Sequence, residues 1–181
     1  MNTVPRLATL PGSVLLALSA VLTAGPLRAE VLEATESMFY LEVSRDVPVH
    51  PEQAYQQFVR VGDWWNASHT WYGDAANLSI EPVAGGCFCE RAGERSVMHM
   101  QVSLVEPGSK IHLLGGLGPL QGMALQGAMV WSFEALEQGG TRILHTYRVT
   151  GYPSAGLTDL AAIVDRVQTE QVERLQSRLT P

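Results

Sequence analysis

Two cysteines one residue apart, a carboxylate beside them and two histidines nearby are the residues of this chain whose types could do chemistry. Cys87, Cys89 and Glu90 lie in Gly85-Gly86-Cys87-Phe88-Cys89-Glu90, His69 follows Trp64-Trp65-Asn66-Ala67-Ser68, and His99 sits between Met98 and Met100. A thiolate whose proton is drawn off by a histidine is a nucleophile, and Cys89 with His69 or His99 would form such a pair. A histidine, a thiolate and a carboxylate can also ligate a transition metal. Neither pattern carries its signature. Cys-x-Cys on a strand lacks the turn geometry of Cys-x2-Cys, and strand alternation turns Glu90 away from both thiols. If Met98 and Met100 face the core, the same alternation sends His99 to the outer surface. No catalytic residue, metal or cofactor is therefore assigned.

Same-face neighbours at this spacing lie roughly 6.5 to 7 Å apart at Cα, near the upper limit for a bridge. Cys87 and Cys89 read as packed thiols, with a redox-active pair as the alternative if the backbone bulges. Around them, Trp64 to Glu90 concentrates three of the four Trp, a His and both Cys. That concentration suggests an aromatic-lined pocket or a well-anchored core corner. The segment Leu114-Gly115-Gly116-Leu117-Gly118-Pro119-Leu120-Gln121-Gly122-Met123 is glycine-rich but has no basic residue and no Gly-Lys-Ser/Thr ending, so it is no phosphate loop. It reads as a hairpin whose Leu117, Leu120 and Met123 could gate a cavity or meet a lipid surface.

The elements that must position these residues are legible from periodicity. Phe39, Leu41, Val43 and Arg45 alternate with Tyr40, Glu42, Ser44 and Asp46, predicting a half-buried strand over Met38 to Val47. Pro48-Val49-His50-Pro51-Glu52 stops it and opens a helix through Ala54, Tyr55, Phe58 and Val59, with a second short helix over Val61 to Trp65. Strand spacing returns at Leu78 and Ile80, Cys87 and Cys89, Val97 to Val105, and Ile111 to Leu114, with turn signals between. Two longer strands, about Met123 to Leu136 and Thr141 to Gly151, form a hairpin across Gln138-Gly139-Gly140. Leu157, Leu160, Val164, Val167, Gln171 and Leu175 then trace one stripe of a long closing helix. This order predicts an α+β fold in which a curved antiparallel sheet of six to seven strands wraps around the last helix.

Residues 1–29 read as an export signal: Arg6 precedes an apolar, small-residue run to Gly25, and Pro26-Leu27-Arg28-Ala29 offers a cleavage region, with Ala24 the alternative. The mature chain, 30–181, is expected to be periplasmic or secreted, with no transmembrane segment. It has 10 basic against 18 acidic residues, a net charge of −8, which disfavours nucleic acid as a partner. About 150 residues suit one domain.

Residues Val47 to Tyr55 at the first helix entry, Trp64-Trp65, Glu106-Pro107-Gly108, Gly140-Thr141-Arg142 and the closing helix make the mature chain resemble the SRPBCC, or START/Bet v 1, helix-grip superfamily. The resemblance is to the branch near the Hsp90-ATPase activator homologues and polyketide cyclases, and in particular to exported bacterial members. It implies a deep cavity between sheet and closing helix that holds an apolar or amphipathic molecule. None of the matching residues is catalytic, and the superfamily hosts carriers, sensors, cyclases and co-chaperone modules.

Alternation places Leu125, Gly127, Met129, Trp131 and Phe133 on one face of the first long strand, and Ile143, His145, Tyr147 and Val149 on one face of the second. Gly127, facing inward, would leave room for a ligand. The expected function is an exported, non-enzymatic protein that binds a small hydrophobic ligand through Trp65, His69, Tyr72, Cys87, Cys89, Gly127, Trp131, His145 and Tyr147. Two other classes compete with it: a cyclase- or hydrolase-like enzyme using a cavity His or Cys, and an envelope module that captures a protein partner through the Gly115 to Met123 hairpin.

Overall fold

The computed structural model describes Met1 and residues 30–180; the expected export segment and its cleavage region lie outside the described residues. The period-two pattern after Ser37 becomes β2 (Met38–Val47), which buries Phe39, Leu41, Val43 and Val47 on one face. Pro51, whose missing N–H costs nothing in a first helical turn, opens α1 (Pro51–Val59), and α1 buries Ala54, Tyr55 and Phe58. The short helix expected over Val61 to Trp65 is a single 3-10 turn, Val61–Asp63.

A meander follows: β3 (Leu78–Ile80), β4 (Cys87–Ala92), β5 (Arg95–Glu106), β6 (Lys110–Leu114), β7 (Gln126–Ala135) and β8 (Thr141–Thr150). The sheet has eight strands rather than six to seven, because β1 (Glu30–Ala34) adds to the edge of β2. Its order is β1-β2-β8-β7-β6-β5-β4-β3, antiparallel throughout and open, with β1 and β3 at the edges. The long ladder of β2, β8 and β7 runs without a register break, so each residue of β8 is fixed against both neighbours. The closing helix α2 (Thr158–Leu179) packs against β1, β2 and α1 and buries Ala161, Val164, Gln168, Gln171, Val172, Leu175 and Leu179. The fold is α+β, a curved antiparallel sheet gripping a C-terminal helix. No helix among the described residues is long and apolar enough to cross a membrane.

One half of the concave face is solid. Phe58 of α1 stacks 4.9 Å from Trp131 and 5.6 Å from Phe133, and Trp64 lies 5.9 Å from Trp131, so aromatic rings fill the space under α1. The other half is open.

Candidate functional site

The open half is a cavity of about 460 Å³. Leu78, Phe88, His99 and Tyr147 line it from the sheet, and Leu160, Val164, Val167 and Gln168 from α2. A strap after the Trp pair adds Trp65, His69 and Trp71, and a lip between β6 and β7 adds Leu117, Leu120 and Met123. Three lining residues, Trp71, Met123 and Ile163, are largely exposed and mark the mouth. Among the described residues no Lys, Arg, Asp or Glu side chain lines it. A volume of several hundred Å³ with an apolar lining and a few polar groups is typical of a small-molecule site.

Both edges of the mouth are fastened by polar groups from the walls. Residues Trp64 to Gly73 have no regular ladder, so their backbone groups need other partners. The Trp65 indole donates to the His69 carbonyl (3.1 Å), closing the strap on itself. From α2, Gln171 Oε1 accepts from Asn66 N (2.9 Å), Glu170 accepts from the Asn66 amide and lies 3.2 Å from His69 Nε2, and Arg174 Nε donates to the Trp64 carbonyl (2.8 Å). From the sheet, both oxygens of Glu90 accept backbone N–H bonds, from Trp71 and Tyr72, each at 2.8 Å. Glu90 is fully buried. The lip is held by Tyr147, whose hydroxyl donates to the Gly115 carbonyl (3.2 Å) and accepts from Leu117 N (3.0 Å). Burial pushes the Tyr147 phenol well above its ordinary range, so it stays a donor. Gly118, at φ 58°, supplies the left-handed turn that points the lip inward.

The ladder shifts register at three places, between Val31 and Glu33, between Val102 and Leu104, and between Phe88 and Cys89, and the site depends on the last. Phe88 pairs with Met100 but Cys89 pairs with Met98, so His99 is an extra residue in β5, a bulge. His99 and Met100 are consequently both buried while Met98 is exposed, reversing the expectation that His99 faces outward. The His99 ring stacks against Phe88 (5.1 Å) with Nε2 3.3 Å from Glu90 Oε2. Burial lowers the His99 pKa, with Glu90 opposing that only in part, so the ring is neutral.

Opposite the bulge β4 is contracted. Cys87 and Cys89 are 5.3 Å apart at Cα, within disulfide range, and they form a disulfide, which corrects the reading of packed thiols. It also leaves Cys89 no thiolate for a Cys-His nucleophile. Titration of the unreduced, unfolded protein with a thiol reagent should find no free thiol, and two after reduction; two at the outset would put the pair back as packed thiols. Among the described residues no group of three His, Cys, Asp or Glu side chains is placed to hold a metal.

Of the residues expected at the ligand site, Trp65, His69 and Tyr147 line the cavity. The others do not. Trp131 is packed between Phe58, Trp64 and His145, beside a void of only about 10 Å³. His145 is completely buried with its ring 4.2 Å from that of Trp131, and among the described residues neither of its nitrogens has a partner in hydrogen-bonding geometry. The Gln168 side chain and the Val130 backbone lean toward the protonated form, but desolvation wins and lowers its pKa to about 3. The room left by Gly127 is taken by Tyr147: a Cβ there would lie 2.5 Å from Tyr147 Cε2. Tyr72 turns away to meet the Arg95 guanidinium, 4.6 Å from its ring centre. Cys87 and Cys89 flank Phe88 in β4, and of the three only Phe88 lines the cavity. Sequence reasoning missed Gln168 and the buried contact between Glu90 and His99. Gln168 was passed over for its neighbour Val167 in the predicted stripe, although the buried face of α2 runs through Ala161, Val164, Gln168, Gln171, Val172 and Leu175.

No family model matches the chain, and no curated protein matches it. Solved structures do match. The Mll3558 protein from Rhizobium loti superposes with a TM-score of 0.57 at 17% identity over 78% of this chain and 97% of that one. An uncharacterised protein from Rhizobium leguminosarum gives 0.55 at 16% identity over 81% and 97%. DynU16, from the dynemicin biosynthetic locus, gives 0.54 at 18% identity; the match covers 77% of this chain and 46% of DynU16. The likeness is one of fold. A curved antiparallel sheet closed by a C-terminal helix fits the helix-grip type, and identities this low carry the architecture without the chemistry.

Proposed function

We propose that this protein is an exported, non-enzymatic helix-grip protein of the SRPBCC type that binds a small, uncharged, apolar or amphipathic molecule in its cavity. The observation that carries this reading is the lining: about 460 Å³ bounded by aliphatic and aromatic side chains, reached through a mouth of exposed Trp71, Met123 and Ile163, with no Lys, Arg, Asp or Glu side chain among the described residues that line it. Burying an ion there would leave its charge without a partner, so a neutral molecule is favoured. The resemblance noted for the first helix entry and the Trp pair supports the same assignment, and export follows from the reading of residues 1–29.

Native mass spectrometry of the purified protein, followed by solvent extraction, tests it. The expected result is a co-purified neutral molecule at one per chain, or, for an apo preparation, saturable binding of the neutral dye Nile red. Val164→Trp and Leu160→Trp, which place an indole in the cavity from α2, should each weaken dye binding at least tenfold, given how little free volume a packed wall can yield. An apo mass together with no dye binding by the folded protein would reject the reading and favour a protein-interaction module.

A further inference from the structure

We infer that the cavity selects a neutral molecule bearing a hydroxyl or N–H that donates a hydrogen bond to Nδ1 of His99. This rests on the binding reading above and narrows it to a ligand class. Three observations converge on the atom. Both oxygens of Glu90 already accept backbone N–H bonds from Trp71 and Tyr72, so the contact between Glu90 Oε2 and His99 Nε2 is a ring N–H donated to the carboxylate. That tautomer leaves Nδ1 as a bare lone pair. Among the described residues no group partners Nδ1, although the residue is buried in the cavity wall and only 4% exposed. A buried acceptor without a donor is rare in folded proteins and points to a missing partner.

The second observation is the bulge. Without the extra residue, alternation would send this imidazole out to solvent; with it, a polar ring stands in an otherwise apolar wall next to Phe88. Bulges re-aim side chains next to functional sites. The third concerns the neighbours. The Trp65 indole, the Tyr147 hydroxyl and the Thr70 hydroxyl each donate inside the protein, to His69, Gly115 and Ala67. On the facing wall Gln168 Oε1 is buried beside the His145 ring without a partner in hydrogen-bonding geometry, and the remaining lining donors, the Gln168 amide, the Ser68 hydroxyl and the Trp71 indole, lie across the cavity or at its exposed mouth. None of these donors meets His99 Nδ1, so the donor for that atom comes with the ligand. A carboxylate ligand brings only further acceptors and a charge with no cation to meet it, and an ether brings no donor.

The test uses one skeleton with three heads: 2-naphthol, 2-methoxynaphthalene and 2-naphthoate, each competing with Nile red for the intact protein. The naphthol should displace the dye about tenfold more strongly than its methyl ether, the ratio expected when a buried acceptor gains or lacks its donor, with the naphthoate weakest. In His99→Phe the naphthol and its ether should compete equally, whatever that variant's own affinity for the dye. Should that variant fail to fold, ¹⁵N-histidine spectra of the unaltered protein give the same information: the His99 Nδ1 resonance should move on adding naphthol and stay on adding the ether. Equal competition by naphthol and ether, with the dye bound, overturns the inference and leaves the cavity reading intact. If the dye does not bind and none of the three moves any resonance, the cavity reading falls and the inference with it.

Discussion

Glu90→Leu should destabilise the folded protein by about 3 kcal/mol, roughly 1 kcal/mol for each of the three hydrogen bonds the carboxylate accepts. Leucine has nearly the volume of the glutamate, so the loss comes from unpaired donors rather than from a void. The donors are Trp71 N, Tyr72 N and His99 Nε2, and all three meet a side chain with no exposure to solvent. Two of them belong to the strap, which can satisfy its amides again only by lifting into water. Loss of stability, read from the urea midpoint, should therefore come with faster hydrogen exchange at the Trp71 and Tyr72 amides and faster escape of a bound dye. Glu170 is the contrasting clamp. Its carboxylate and His69 are both more than a third or nearly a third exposed, and solvent screening holds such a pair below about 1 kcal/mol. Glu170→Gln should accordingly leave the urea midpoint almost unmoved. Unchanged exchange at residues 71 and 72 in Glu90→Leu would mean that the strap is held from α2 alone.

Much of the architecture was legible because half-buried elements write their geometry into the sequence. β2, β7, β8 and α2 each bury one face, and alternation or a three-and-four spacing records which. β1 was not seen. It lies at the sheet edge with most of its residues exposed, so no apolar period marks it. The bulge at His99 was invisible for a related reason: alternation presumes one residue per pair, and a single insertion inverts every inference drawn beyond it. From that one residue follow the burial of His99, the contact with Glu90 and the contraction that lets Cys87 reach Cys89.

The candidate site was legible in part. Alternation correctly put Trp131, His145 and Tyr147 on the concave face, but a face is not a depth. How much of that face stays open is decided by what crosses it, and α1 with Trp64 fills the end where Trp131 sits. Gly127 shows the same limit: the absence of a side chain was evident, whereas its use, making room for the Tyr147 ring that fastens the lip, depends on a residue two positions off the direct cross-strand partner. Trp65 and His69, which lie on the cavity wall, stood out in the sequence because aromatic and histidine side chains gathered outside regular periodicity have few structural reasons to be there.

Acid should weaken the fold well before the surface carboxylates titrate, and His145 sets the sign. Its folded pKa is about 3, below the ordinary 6.5, so between these values the unfolded chain binds a proton that the folded chain refuses. Stability from this residue is fully present above about pH 6.5 and falls as pH drops, by about 1.4 kcal/mol per pH unit. Between pH 7 and pH 5 the loss is about 2 kcal/mol, and His99, whose pKa is also lowered, adds to it in the same direction. The groups beside the His145 ring are Trp131, the Gln168 side chain and the Val130 backbone, none of which offers a charge to stabilise the imidazolium. Urea midpoints at pH 7 and pH 5 measure the effect, and His145→Gln should flatten the dependence even if it lowers stability at both. A flat profile in the unaltered protein would mean that water reaches His145 past Gln168 in the folded state, so that the cavity extends further into the sheet than its 460 Å³ and a ligand's polar group could be met from both walls.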